Sequence, residues 1–89
     1  MVEYRKLRER FLRLRVRCDH PECRRSADEV HHSRGRAGDL LLDWRHWRAV
    51  CRRHHNWIGD HPAEARAFGL LCQPGLWNTP DKTPIPELR

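Results

Sequence analysis

The 89-residue sequence contains no stretch of 18 or more apolar residues, so the sequence offers no membrane-spanning helix. It has no glycine-rich phosphate loop, no internal repeat and no heptad array long enough for a coiled coil, which sets aside nucleotide-cradling, solenoid and coiled-coil readings. The first seventeen residues hold seven Lys or Arg and no apolar run of export-signal length. A reducing cytoplasm is therefore expected, and four thiols there point to metal binding before disulfides. Lysine is scarce too: sixteen of the 18 cations are arginine. That bias suits phosphate recognition, but a GC-rich genome produces the same bias.

What is present is charge. Eighteen cations against 12 anions leave a net charge of +6 and a pI near 9.9, which favours a polyanionic partner such as nucleic acid. With only 38% hydrophobic residues in so short a chain, one domain is expected, too small for a generous core. Some staple must supplement it.

The pattern predicts an α+β domain over residues 1–71 with a proline-rich tail over 72–89. Tyr4, Leu7, Phe11 and Leu14 draw one stripe on a helix over about 3–13, with Arg5, Lys6, Arg8, Arg10 and Arg13 on its other faces. Such a helix either packs by its stripe with solvated arginines outside or contacts DNA directly. Leu12, Leu14, Val16 and Cys18 then alternate with arginines, the rhythm of an extended segment. A short strand is expected over 27–32, a mobile basic loop over 33–39, and a second strand or a turn into a helix over 40–50. A helix should follow from Cys51 to about Gly59, and a shorter one from Pro62 to about Gly69. Prolines 74, 80, 84 and 86 mark the extended tail, which either wraps the domain through Leu76 and Trp77 or is partly disordered.

Cys18-x4-Cys23 and Cys51-x2-His54 form two ligand pairs separated by 27 residues. Short spacings let a knuckle or a helix start aim two side chains at one ion, and two such pairs close a tetrahedron: a structural Cys3His zinc site. Cys72 stands outside the pattern in an apolar run and reads as a small core residue. His54 and His55 are adjacent, and neighbours on a helix point about 100° apart. With His54 beside Cys51, His55 is free to face a second metal.

His31, His32, His46, His54 and His55 fall within 25 positions. On a strand His31 and His32 point to opposite faces, so one can bind metal while the other reaches toward water. The order Cys-x4-Cys, His31-His32, His46 and His55 directly after a Cys-x2-His pair resembles the HNH endonucleases over residues 18–60. The resemblance implies a ββα-metal core in which His31 and His55 hold a catalytic divalent cation, Mg2+, Mn2+ or a transition metal, and His32 is the general base. His46 falls on the middle position of the motif, normally Asn, and His54 on a position usually Cys. Features after the last histidine, including Trp57-Ile58, resemble phage-encoded members, which would act in a bacterial cytoplasm. The implied partner is double-stranded DNA, contacted with little sequence specificity, with Arg34 and Arg36 either clamping phosphate or forming a solvated loop. A directing protein partner is a further expectation. Two rivals stay open: a catalytically impaired module of the same fold that binds nucleic acid or protein, and a purely structural zinc protein.

Overall fold

A computed structural model describes residues 2–88 of the chain. It has three helices, α1 (Val2–Leu14), α2 (Arg52–Asp60) and α3 (Pro62–Ala67), and two strands, β1 (Glu29–His32) and β2 (Trp47–Val50). The strands pair antiparallel, with Glu29 opposite Val50, Val30 opposite Ala49, His31 opposite Arg48 and His32 opposite Trp47. No described helix is long and apolar enough to cross a membrane.

The two-residue period of the strands divides the molecule into two cores. Val30, His32, Trp47 and Ala49 share one face of the hairpin, and α1 lays its stripe there: Phe11 is buried, and Tyr4 and Phe11 meet the Trp47 ring edge-on at 5.6 and 5.4 Å. Such offset aromatic contacts add to the area that the rings remove from water. Glu29, His31, Arg48 and Val50 share the opposite face, toward α2. There Val50 joins Cys18, Cys23, Cys51, Ile58, Ala65 and Leu70 in the second core.

The segment before the first cysteine departs from the two-residue rhythm. Helix α1 runs on through Leu14, its turn closed when the Arg15 N–H donates to the Phe11 carbonyl (2.9 Å), which leaves Leu14 exposed and off the packed stripe. The extended conformation begins after it. Arg17 bridges Ser26, the Ala27 N–H donates to the Val16 carbonyl (2.7 Å) and the Cys18 N–H to the Arg25 carbonyl (3.0 Å), so a short ribbon brackets the cysteine knuckle. Asp19 ties that ribbon to β2 by giving its N–H to the Ala49 carbonyl (2.7 Å) and accepting the Ala49 N–H (2.8 Å).

Residues 38–46 form two 3-10 turns rather than an early start of β2. Cys51 stands in extended conformation at the start of α2, and Pro62 opens α3, where its missing N–H costs nothing. Gly69 follows α3 at φ +77, a conformation that penalises any side chain.

Two expectations about the periphery are corrected. The loop over 33–39 is tethered rather than mobile, because Asn78 and Thr79 of the tail bond to it. The tail wraps the domain, but not through Leu76 and Trp77, which stay exposed. It is fastened where Asp81 meets His46, Trp44 donates its indole N–H to the Pro86 carbonyl (2.7 Å) and Leu88 enters the core beside Phe11. Proline-rich backbone has few N–H groups to give, so the domain supplies most of the donors.

Candidate metal centre

The knuckle brings Cys18 and Cys23 to the start of α2, which presents Cys51 and His54 one turn apart on one face. Their donor atoms all lie within 4.8 Å of one another. Individual edges are 3.7 Å (Cys18 Sγ to His54 Nδ1), 3.4 Å (Cys51 Sγ to His54 Nδ1) and 4.0 Å (Cys23 Sγ to Cys51 Sγ). A zinc ion with ordinary Zn–S and Zn–N bonds needs tetrahedral edges of about 3.5–3.8 Å, so the group fits a metal of that size and its preference for sulfur and nitrogen.

The electrostatics favour a cation as well. Burial pushes the Cys18 thiol up to about 11. Burial also raises Cys51, but the His54 backbone N–H and bonds from Cys18 and Cys23 outweigh it, so its thiol lies below the ordinary value. A bound cation would take over the role of the thiol protons. His54 is held below its usual value by burial first and by neighbouring His20 second, which keeps it a neutral ligand. The His20 ring stacks on it at 4.0 Å and accepts the Glu22 N–H at Nδ1 (3.1 Å). Cys72 lies outside this cluster and donates its N–H to the Ser33 carbonyl (2.9 Å).

His55 turns away from the thiols. Its ring meets that of His31 at 5.2 Å between centroids, so strand β1 and helix α2 bring the two together. Its Nδ1 lies 2.7 Å from the Glu29 carboxylate. A carboxylate can only accept, so Nδ1 carries the proton and the lone pair sits on Nε2, free for a ligand. His31 is held at about 4 by burial first and by His55, His32 and Arg48 after it, and its Nε2 is buried with no hydrogen-bond partner among the described residues. A neutral buried nitrogen with nothing to bond is an unpaid desolvation cost, and a metal or water ligand would remove it. Beside His55 opens a cleft of about 650 Å³ lined by Arg8, Glu29, Val30, Arg52, His55 and Asn56.

His32 lies on the other face of β1. It is 6% exposed, stacked on Tyr4 at 5.8 Å and set edge-on to Trp47 at 5.4 Å. Its Nε2–H donates to the Leu41 carbonyl (3.3 Å), which leaves Nδ1 as the acceptor. Burial, then the charge of Arg36, lowers it to about 4.

The remaining site residues go elsewhere. The His46 ring faces the tail, donating to Asp81 (2.9 Å) with Asp43 at 3.9 Å, while its backbone carbonyl accepts the Ser33 N–H and hydroxyl (2.9 and 2.6 Å). Asp43, His46 and Asp81 have metal-ligand chemistry at close range, but the Arg45 guanidinium already occupies both Asp43 oxygens at 2.8 Å. Arg45, paired with Asp43 and with Asp81 at 3.7 Å, makes this group a clasp between domain and tail. Arg34 donates Nε–H to the Thr79 carbonyl (2.7 Å) and is committed to the tail, whereas Arg36 is exposed with its guanidinium 5.7 Å over the Tyr4 ring.

Sequence reasoning missed Glu29, Arg52 and Asn56, and it read Arg8 only as one of several basic residues on the first helix. The signal for Glu29 was available: it precedes His31 by two residues, the spacing that places both on one strand face. Arg52 and Asn56 lie four apart on α2 and share a helix face. Arg8 joins them only through the packing of α1. No family model, curated protein or solved structure matches this chain.

Proposed function

We propose that the chain is a metal-dependent HNH-type endonuclease that hydrolyses DNA phosphodiester bonds, with a zinc ion on Cys18, Cys23, Cys51 and His54 as its structural brace. The observation that carries this reading is the meeting of His31 and His55 at 5.2 Å, with Glu29 fixing the tautomer of His55 and the buried Nε2 of His31 left without a partner. These two imidazoles would hold a divalent cation such as Mg2+ or Mn2+, which when bound would supply Lewis-acid polarisation of the scissile phosphate and charge relief at the leaving oxygen.

The chain's own groups do the rest. His32 is neutral near pH 7, and the Leu41 carbonyl holds its Nε2 proton, so Nδ1 is the atom that takes a proton from the attacking water. Arg36 stands beside His32, and Arg8 and Arg52 flank the cleft at His55, which supports double-stranded DNA as partner through its phosphates. Contacts of that kind position the protein without reading bases, so sequence preference is small unless a partner directs the cut.

One observation favours the second reading, a zinc module of the same shape that binds nucleic acid without cutting it: the base His32 is almost wholly covered by Tyr4 and Trp47. Zinc-loaded protein incubated with supercoiled plasmid and Mg2+, Mn2+ or Ni2+ decides between them. Wild type should nick the plasmid, and His32→Ala and His31→Ala should each slow nicking by about 10²-fold or more while keeping zinc and fold. An intact plasmid with every metal sinks the endonuclease reading.

A further inference from the structure

The segment over residues 78–83 crosses the loop that follows His32 and bonds to it along its length. The Asn78 N–H donates to the Arg34 carbonyl (2.7 Å), and Asn78 Oδ1 accepts the backbone N–H groups of Arg36 (3.2 Å) and Ala37 (3.3 Å). Thr79 offers its carbonyl to Arg34 Nε–H (2.7 Å). The fit leaves no slack: Gly35 takes φ +100, and a Cβ there would run into Asn78 Oδ1. Asn78 itself sits at φ 60, a conformation that Asn adopts more readily than most residues. Three residues on, Asp81 clasps His46 at 2.9 Å and receives the N–H and hydroxyl of Thr83 at 3.0 and 2.7 Å, so the crossing is fastened at its far end too.

What the crossing holds in place is Arg36. Its backbone N–H is bonded to Asn78, its guanidinium lies over Tyr4, and the Tyr4 ring stacks on His32. Arg34 gives its Nε–H to Thr79 and is half-buried, which leaves Arg36 as the loop's exposed cation. A loop with glycines at 35 and 38 would otherwise lose much backbone freedom on binding a ligand, and ordering it beforehand removes that cost. We infer that residues 78–83 are a strap that holds Arg36 ready for a nucleic-acid phosphate, with Asn78 as the positioning residue. The phosphate as ligand rests on the function proposed above; the strap's hold on the loop does not.

The test uses zinc-loaded full-length protein, a short fluorescent DNA duplex and low salt, with no catalytic cation added. Asn78→Gly tolerates the same φ and removes the side chain whose Oδ1 accepts from the loop, while Gly35→Ala pushes Asn78 away from the other side. Each should weaken duplex binding about fivefold, Arg36→Ala should do so by at least as much, and the Asn78→Gly, Arg36→Ala double variant should bind no more weakly than Arg36→Ala alone. That non-additivity would not follow from a merely structural role. Zinc content and circular dichroism should match wild type in every variant. Wild-type affinity for Asn78→Gly, multiplying losses in the double variant, or an Arg36→Ala protein that binds like wild type each overturns the inference. The expected binding pattern together with an uncut plasmid keeps the strap and removes the endonuclease reading; cleavage with multiplying losses does the reverse.

Discussion

The zinc-sized cluster and the histidine cleft are built from neighbouring residues of one helix, yet they are opposites in every physical respect. Cys18, Cys23, Cys51 and His54 converge from two elements, with donor atoms within 4.8 Å and three of the four residues buried. Four donors close a tetrahedron and leave an ion no open position. His31 and His55 bring only two imidazoles, with a carboxylate behind His55 and a cleft beside it. Two donors would leave a bound ion with open positions. The difference between His54 and His55 is one residue, hence about 100° of helix, and that rotation is enough to send the first into a closed cage and the second to an open cleft.

The comparison breaks most severely at the cage. Metal binding of this kind is worth on the order of 10 kcal/mol, comparable to the whole net stability of a small domain. Cys51→Ser, or removal of the metal by a strong chelator, should therefore abolish the cooperative thermal transition and the near-ultraviolet circular dichroism. A Cys51→Ser protein that still melts cooperatively near the wild-type temperature would show that the two hairpin cores hold the fold without the cage.

A smaller effect sharpens the contrast from the cleft side. His31 and His32 are held at about 4 by burial, below the 6.5 of an unperturbed histidine. Unfolding restores the ordinary value, so the unfolded chain takes up protons that the folded one refuses. Stability is then complete above about pH 6.5 and falls as the pH drops from there toward 4. For His32 the loss at pH 5 is on the order of 1–2 kcal/mol. Melting curves of wild type and His32→Gln between pH 7.5 and 5 should converge as the pH falls, since acid acting on the cage affects both proteins alike. Parallel curves would show that the cage alone sets the acid limit.

The smallest effect separates orientation from ligation. Glu29→Gln removes the charge behind His55 while keeping an acceptor, and should weaken Mn2+ or Ni2+ binding at the cleft about tenfold with zinc content unchanged. Titration calorimetry on zinc-loaded protein measures both, and unchanged affinity would mean that His55 needs no carboxylate to orient it.

Much of this contrast was legible before any tertiary information. Cys18, Cys23, Cys51 and His54 announce themselves by spacing, because ligand pairs two to four residues apart are locally constrained to one ion. The helices over 2–14, 52–60 and 62–67 follow from the apolar stripe of α1 and from Pro62 and Gly69, which are local signals as well. Leu14 shows the limit: the stripe predicts its position on the helix but not that the neighbouring surface ends before reaching it, leaving it exposed.

What tertiary structure alone decided lies in the tail and the faces of β1. No local rule pairs His46 with Asp81, 35 residues away, or Asn78 with Arg36, 42 residues away. Hydrogen bonds at such separations depend on where the chain returns, and a proline-rich segment carries little pattern to say where that is. Alternation placed His31 and His32 on opposite faces of a strand, but only the packing of α1 on one face and α2 on the other determined that His32 would be covered by Tyr4 and Trp47 while His31 met His55. Covalent spacing alone marked out Cys18, Cys23, Cys51 and His54 as a group able to hold a metal. The fold decided which histidines meet, which arginine stays free and what holds it there, since these are set by which surfaces come together.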